Sequence, residues 1–128
     1  MTSLIQRIES GLIAAFALAT TIAFYPTWWW VPFAAFLLFD LSALGYLRSP
    51  STGAVVYNLV HSYAWPALVG IVAVVFCAFA VPGSTVLALI ALSWAFHVGA
   101  DRALGYGLKL PDAFTHTHLG WIGKDRGK

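Results

Sequence analysis

The sequence predicts an all-α fold, a four-helix transmembrane bundle in which consecutive helices are antiparallel neighbours. Three observations support this prediction. The 128 residues are 60% hydrophobic and only 9% charged, whereas a soluble domain has roughly 25% charged residues. The apolar residues form four stretches, each long enough for the about 20 residues that a membrane helix needs. The charged residues separate these stretches in a pattern that indicates a topology.

The positive charges occupy only those segments that would share one side of a membrane. They lie near the N-terminus, between the second and third stretches, and at or after the end of the fourth, whereas residues 26–30 and 81–84 carry none. Because positively charged loops stay in the cytoplasm, we expect a multi-pass protein of the cell membrane with cytoplasmic N- and C-termini. The positive residues are Arg7, Arg48, Arg102, Lys109, Lys124, Arg126 and Lys128.

Span one is predicted at about residues 4–25. Ser3 and Gln6 fit a capping box, in which two side chains satisfy free amides at a helix start. Glu9 lies where a signal peptide would be positively charged, and apolar sequence continues well beyond it. We therefore interpret this segment as a retained membrane span and not as a cleaved leader.

Span two is predicted at about residues 28–47, and it ends before Pro50. Its first three residues are all tryptophan. Aromatic rings favour the level of the lipid headgroups, so we expect this triplet to form a belt at the outer interface.

Span three is predicted at about residues 53–80, which is long for one crossing. Pro66 lacks an amide proton and clashes with the preceding turn, so the span is expected to be kinked or broken near it. The alternatives are one tilted, kinked helix, or a short helix over residues 52–63 followed by the true span. Span four is predicted at about residues 85–105, and residues 106–128 form a cytoplasmic tail of the same single domain.

Small residues at every fourth position predict where helices pack closely. In lipid there is no hydrophobic drive between helices, so close backbone approach through small residues holds them together. Two stripes have this spacing: Gly11, Ala15 and Ala19 in span one, and Ala91, Ala95, Gly99 and Ala103 in span four.

Ionisable residues in the four spans lie at similar depths. At a rise of about 1.5 Å per residue, Asp40, His61 and His97 lie about 10–12 Å inside the inner helix ends, and Glu9 lies about 7–8 Å inside. Asp101 is one turn from His97 on the same helix face. A charged group at the membrane centre costs roughly 2.5–3.5 kcal/mol on insertion scales, so we expect these side chains to turn inward and meet.

Neighbouring polar residues enlarge the predicted site. Tyr57 and Asn58 precede His61 by four and three residues, which places them on its helix face. Arg102 is near enough to the inner surface to pair with an acid. The predicted ligand or polar site comprises Asp40, His61, His97, Asp101, Asn58, Tyr57, Glu9 and Arg102.

Three interpretations of this site remain open at this point. Carboxylates and imidazoles that project inward from a helix bundle can bind metal ions, and the candidate ligands for a divalent metal are His61, His97, Asp101 and Asp40. The chain has no Glu-x-x-His motif. The second interpretation is a non-metal site that binds a small molecule or headgroup, or transfers a proton by acid–base chemistry. The third is a hydrogen-bond network that fixes helix packing without any chemistry.

The tail contains His116 and His118, separated by one residue. Both follow span four, on the cytoplasmic side. They are therefore candidates for capping the site from the cytoplasm, with metal binding from an extended segment as the chemistry they offer.

Composition also restricts the partners. The net charge of +2 comes from scattered residues, with no basic run or aromatic platform, so we expect no nucleic-acid partner and expect membrane lipid instead. A homo-oligomer or a larger membrane complex is a further partner, in which this chain would be an accessory or scaffold subunit. A small transporter is the third class, but we find no internal repeat of the kind that transporters use.

Four sequence segments resemble a known family. They are residues 39–47, 57–61, 97–109 and 114–120, and they contain the same polar residues that depth counting selects. The resemblance is to small bacterial integral membrane proteins catalogued as domain of unknown function 4260. It implies a bacterial multi-pass membrane protein, and it assigns no activity and no catalytic residue.

Overall fold

The structure is a computed structural model, and it describes residues 1–127. Four segments are long and apolar enough to cross a membrane: Thr2–Phe24, Pro26–Leu47, Pro50–Ala78 and Ser84–Leu104. The predicted four-span helical fold is confirmed. In chain order the elements are α1 (Thr2–Phe24), α2 (Val31–Ala34), α3 (Phe36–Asp40), α4 (Pro50–Val60), α5 (Ala64–Ala78), α6 (Ser84–Leu104), β1 (His116–Thr117) and β2 (Gly120–Trp121), with 3₁₀ helices at Pro26–Trp28, Leu41–Leu47 and Gly123–Asp125.

Helix α6 lies at the centre of the fold, and α1 and α5 pack along it. A methyl group added at Gly99 would lie 2.7 Å from the carbonyl oxygen of Ser10, so the backbones of α6 and α1 touch there. The small-residue stripe of α6 therefore packs as predicted. On α1 the prediction holds for Gly11, where a methyl group would lie 3.5 Å from the Cβ of Ala103, but it is wrong for Ala15 and Ala19, which are exposed. The buried residues of α1 are Ser10, Ala14, Ala17 and Thr21.

The second span is not the continuous helix expected at residues 28–47. It consists of α2, α3 and the 3₁₀ helix Leu41–Leu47. The hydroxyl of Ser42 donates a hydrogen bond to the carbonyl of Phe39 at 2.8 Å, and such local bonds compete with regular helix pairing. The 3₁₀ helix packs against α4, where a methyl group at Gly45 would lie 3.0 Å from the Cβ of Val56.

The third span is broken, as one of the two alternatives predicted. Helix α4 ends at Val60 and α5 begins at Ala64, so the break falls at residues 61–63 and not at Pro66 itself. Pro66 occupies the first turn of α5, where a missing amide proton costs no helical hydrogen bond. The chain therefore leaves the helix just before the proline and places His61 at the break.

The segment after α6 folds back under the bundle. Gly105 adopts a left-handed conformation with φ of 101°, and the amide of Tyr106 caps the carbonyl of Asp101 at 2.8 Å. Glycine favours this conformation at helix ends. Strands β1 and β2 then form an antiparallel hairpin, and Lys109 forms an isolated bridge with Thr117.

Candidate metal centre

Four side chains from three separate segments converge at one point. Asp40 ends α3, His61 follows α4 at the chain break, and His97 and Asp101 lie one turn apart on α6. Each offers one ligand atom, and these four atoms lie within 4.8 Å of one another. Depth counting along the sequence selects these four residues and Glu9, so the structure brings together four of the five groups that hydrocarbon would force inward.

The separations match those of ligands around a single ion. The Nε2 atoms of His61 and His97 are 3.0 Å apart. The carboxylate oxygens lie 3.4 and 3.7 Å from His61 Nε2 and 3.6 and 3.8 Å from His97 Nε2. A tetrahedral ion with bonds of about 2.0–2.1 Å holds its ligand atoms about 3.3–3.4 Å apart. The five separations that involve an imidazole nitrogen are therefore within about half an ångström of tetrahedral spacing, and all four ligand atoms lie within 4.8 Å of one another.

Hydrogen bonds orient His61 as a ligand. Its Nδ1 lies 3.0 Å from the carbonyl oxygen of Tyr57 and 3.5 Å from the hydroxyl of Ser42. A carbonyl only accepts hydrogen bonds, and the Ser42 hydroxyl already donates to a backbone carbonyl, so the Nδ1 of His61 carries the proton. In a neutral imidazole the other nitrogen then has a free lone pair. The Nε2 lone pair of His61 therefore faces the cluster, as metal coordination requires.

Tyr57 supports two members of the cluster at once. Its ring stacks on the imidazole of His61, with centroids 3.6 Å apart. Its hydroxyl donates a hydrogen bond of 3.1 Å to Oδ2 of Asp101. Such outer contacts orient metal ligands and tune their basicity, so Tyr57 couples the position of His61 to that of Asp101.

His97 is enclosed by aromatic rings. It is fully buried, and the rings of Phe36 and Phe39 lie 4.5 and 5.2 Å from its own. Its Nδ1 has no well-aligned hydrogen-bond partner, although the backbone of Phe36 lies beside it. The ring is therefore held mainly by packing, with Nε2 directed at the other three ligands.

The cluster is closed on three sides and open on one. The side chains of His61, His97 and Asp101 are 3%, 0% and 12% exposed, whereas that of Asp40 is 42% exposed. The fold therefore provides three fixed ligands and one that reaches the surface.

Lys109 lies beside this region on the side of the tail, and sequence reasoning missed it. Its side chain is 3% exposed, and its ammonium lies 4.0 Å from the ring centroid of Phe114 and 4.9 Å from that of Tyr57. Burial lowers its pKa to about 8, while the negative charges of Asp101 and Asp40 act in the opposite direction. A single lysine in a tail carries no local signal of burial, so only the fold places it here.

Asn58 holds Lys109 in position. Its side-chain amide donates to the Lys109 carbonyl at 2.9 Å, and its side-chain oxygen accepts from the Lys109 amide at 2.7 Å. The asparagine therefore binds both backbone groups of one tail residue, as a neighbouring strand would. The sequence prediction placed Asn58 in the site, whereas the structure gives it the task of docking the tail.

The broken helix end is also satisfied by α6. Arg102 donates a 3.0 Å hydrogen bond to the carbonyl of His61, and the indole nitrogen of Trp94 donates a 2.6 Å bond to the carbonyl of Val60. Because no water pairs backbone groups within lipid, these side chains compensate for the break that positions His61.

Comparison with known proteins adds a family to this geometry. The family model described as Domain of unknown function (DUF4260) matches residues 3–122. The chain belongs to this family. No curated protein and no solved structure matches the chain. The DUF4260 match covers all four spans and the hairpin, so the cluster lies within the region that defines the family.

One residue of the predicted site and both predicted capping residues lie elsewhere in this DUF4260 chain. Glu9 is exposed on α1 and lines a separate cavity. His116 stacks on Trp121 with centroids 4.0 Å apart and bonds Asp112 at 2.7 Å, which lowers the pKa of that carboxyl group. His118 accepts from the amide of Leu108 at 2.8 Å, and burial lowers its pKa. None of the three belongs to the four-residue cluster, and the tail reaches the cluster's surroundings through Lys109 instead of the histidines.

Proposed function

We propose that this chain is a membrane-embedded metalloprotein that binds one divalent transition-metal ion between Asp40, His61, His97 and Asp101. The site lies in the inner half of the cell membrane, and both termini face the cytoplasm. The observation that carries the proposal is the convergence of four ligand atoms from three segments within 4.8 Å. The proton on Nδ1 of His61 supports it, because it leaves a lone pair on the atom that faces the other ligands.

Charge balance supports an ion at this place. Two carboxylates and a divalent cation sum to zero, and a neutral group is far less costly in hydrocarbon than separate charges. Asp40 and Asp101 both lie inside a predicted span. A bound divalent ion would therefore neutralise the two acids that the membrane otherwise disfavours.

The donor set favours zinc. Imidazole suits Zn²⁺, Cu²⁺, Fe²⁺ and Ni²⁺, whereas Mg²⁺ and Ca²⁺ prefer oxygen ligands alone. Two nitrogens and two oxygens near tetrahedral spacing fit Zn²⁺ best. The half-exposed Asp40 is the ligand that a water molecule would replace, and a zinc-bound water is a source of hydroxide at neutral pH.

Elemental analysis of the purified full chain tests the proposal. After incubation with Zn²⁺ and removal of excess metal, we expect about one ion per chain in the wild type. The variants His61→Ala and His97→Ala are expected to lose it. His116→Ala is the matched control, because it also removes a histidine paired with an aspartate, but outside the cluster. No metal in the wild type, or full occupancy in His97→Ala, would overturn the proposal.

A second candidate is an accessory subunit in which the cluster is a structural hydrogen-bond network. The 3.0 Å contact between the two Nε2 atoms favours it, because one shared proton could satisfy both rings without an ion. In that case the partner is a second copy or a larger membrane complex. This candidate predicts metal-free protein whose His97→Ala variant loses its association with that partner.

A further inference from the structure

A polar cavity lies between α1, α6 and the tail, apart from the metal cluster. Its volume is about 270 Å³, and its lining includes Gln6, Glu9, Ser10, Tyr63, Arg102 and His118. Glu9 and His118 are residues that the sequence singles out and that the metal cluster leaves unused, and Arg102 reaches the cluster only through the backbone carbonyl of His61. The cavity therefore accounts for polar groups whose presence near lipid is otherwise costly.

Two opposite charges line this cavity without pairing. Among the described residues, no carboxylate lies within ion-pair distance of Arg102 and no cation lies within that distance of Glu9. Arg102 uses one terminal nitrogen on the His61 carbonyl, and its Nε is buried without a partner. The hydroxyl of Tyr63 is also buried without a partner. Arg102 is therefore the cation on one wall of the cavity, and Glu9 is the carboxylate on another.

An apolar groove continues from the cavity towards the middle of the membrane. Its volume is about 350 Å³, and it shares Ile13 and Tyr63 with the cavity. Beyond them it is lined by Phe16, Ala17, Ala67 and other small apolar residues. Along α1 the lining passes from polar residues at the first turns to apolar residues further in. This order matches a lipid of the inner leaflet, with its headgroup at the surface and its acyl chain towards the centre.

We propose that the cavity and groove bind one zwitterionic phospholipid with a primary amine headgroup, of the phosphoethanolamine type. The phosphate accepts hydrogen bonds from Arg102, the ammonium donates to Glu9, and one acyl chain lies in the groove. A choline headgroup has no N–H to donate to Glu9. An anionic headgroup would leave the Glu9 carboxylate without a cation and add a negative charge beside it.

Lipid binding to purified chain in detergent tests this proposal, with native mass spectrometry or thermal stabilisation as the readout. The probes are phosphatidylethanolamine, phosphatidylcholine and phosphatidylglycerol with the same acyl chains, and free phosphoethanolamine. We expect phosphatidylethanolamine to bind about tenfold more tightly than the other two lipids, as one charged hydrogen bond implies. Free phosphoethanolamine binding as tightly as the lipid would contradict a role for the groove. Equal binding of all three lipids would overturn the headgroup assignment.

Two variants locate the site. Glu9 lies on the exposed side of α1, and Glu9→Gln is expected to abolish the preference for phosphatidylethanolamine. Asp112→Asn, an acid-to-amide change in the tail, is the control, and it is expected to keep that preference. Ala67→Leu fills the groove and is expected to weaken the binding of all three lipids. Ala64→Leu, on the same helix but outside the groove, is expected to leave their binding unchanged. A Glu9→Gln variant with unchanged preference would refute the proposal. None of these variants alters a proposed metal ligand, so the metal and lipid results are independent.

Discussion

His61 shows how a local backbone feature prepares a side chain for chemistry. Because α4 ends there, the residue keeps a hydrogen bond from its Nδ1 to the carbonyl one turn back, at 3.0 Å. This contact fixes the proton on Nδ1 and directs Nε2 at three other ligand atoms. The position of the helix end thus determines which tautomer the site contains.

The hydroxyl of Tyr57 provides a prediction at the same scale. Tyr57→Phe keeps the ring that stacks on His61 but removes the hydrogen bond to Asp101. Because loss of such a contact typically costs 10–100-fold in metal affinity, we expect zinc affinity to fall by about that factor without unfolding. Competition with a chromophoric chelator measures the change. Tyr106→Phe is the control, and equal affinities in the two variants would contradict the role given to Tyr57.

Buried Lys109 provides a prediction about pH. Its pKa falls from 10.5 to about 8 on burial, so between these values the unfolded chain binds a proton that the folded chain has released. The free energy of unfolding should therefore rise with pH from about 8 to 10.5. The rise should be about 3 kcal/mol at most, because the nearby aromatic rings favour the ammonium form. Lys109→Met should lack this rise. Thermal unfolding in detergent at several pH values checks it, and parallel curves for both proteins would refute it.

At the scale of elements, the contact between α1 and α6 limits what the fold tolerates. A methyl group at Gly99 would lie 2.7 and 2.9 Å from backbone atoms of α1, whereas one at Gly70 meets only the Cβ of Ala91, at 3.7 Å. Backbone atoms cannot move aside as a flexible side chain does. The backbones of α1 and α6 are therefore in direct contact at Gly99.

We expect Gly99→Ala to destabilise the fold by about 1–3 kcal/mol, as overpacking does, and Gly70→Ala to change it by less than about 0.5 kcal/mol. Both substitutions add one methyl group to a glycine in a membrane helix, so the pair is matched. Denaturation by SDS in mixed micelles measures both. Similar losses for the two variants would mean that close packing at Gly99 does not hold the helices together.

Sequence reasoning locates elements and site residues where the membrane leaves few alternatives. Asp40, His61, His97 and Asp101 could be selected because ionisable groups in hydrocarbon must meet partners, whatever the details of packing. Pro66 indicated a break, but the position of that break depends on which backbone carbonyls α6 can satisfy. Lys109 was not predictable, since its burial results from tail docking through Asn58. The exposure of Glu9 likewise depends on how α1 rotates against α6.

At the scale of the whole molecule, the buried polar groups are not spread evenly along the bundle. The buried cluster, the polar cavity and the folded tail all lie towards the end of the bundle where the chain termini are. The other end presents residues 28–30, three exposed tryptophans. The polar groups of this fold are therefore concentrated at one end of the bundle.

Reporter fusions test this orientation. We expect a fluorescent protein fused to either terminus to fluoresce in the cytoplasm, and alkaline phosphatase fused there to be inactive, because positive loops stay inside. Alkaline phosphatase inserted between α5 and α6 should be active, since that loop carries no Lys or Arg. Active phosphatase at both termini would contradict this orientation and indicate the opposite one.

The four ligands come from three chain segments that are far apart in sequence, and this spacing has a thermodynamic consequence. An ion held by Asp40, His61 and His97 would connect three distant segments of the chain in the folded state only, because the unfolded chain does not hold these ligands together. Metal that binds only the folded form adds stability in proportion to the logarithm of its free concentration. The free metal concentration would then affect the stability of the whole fold and not only the occupancy of one site.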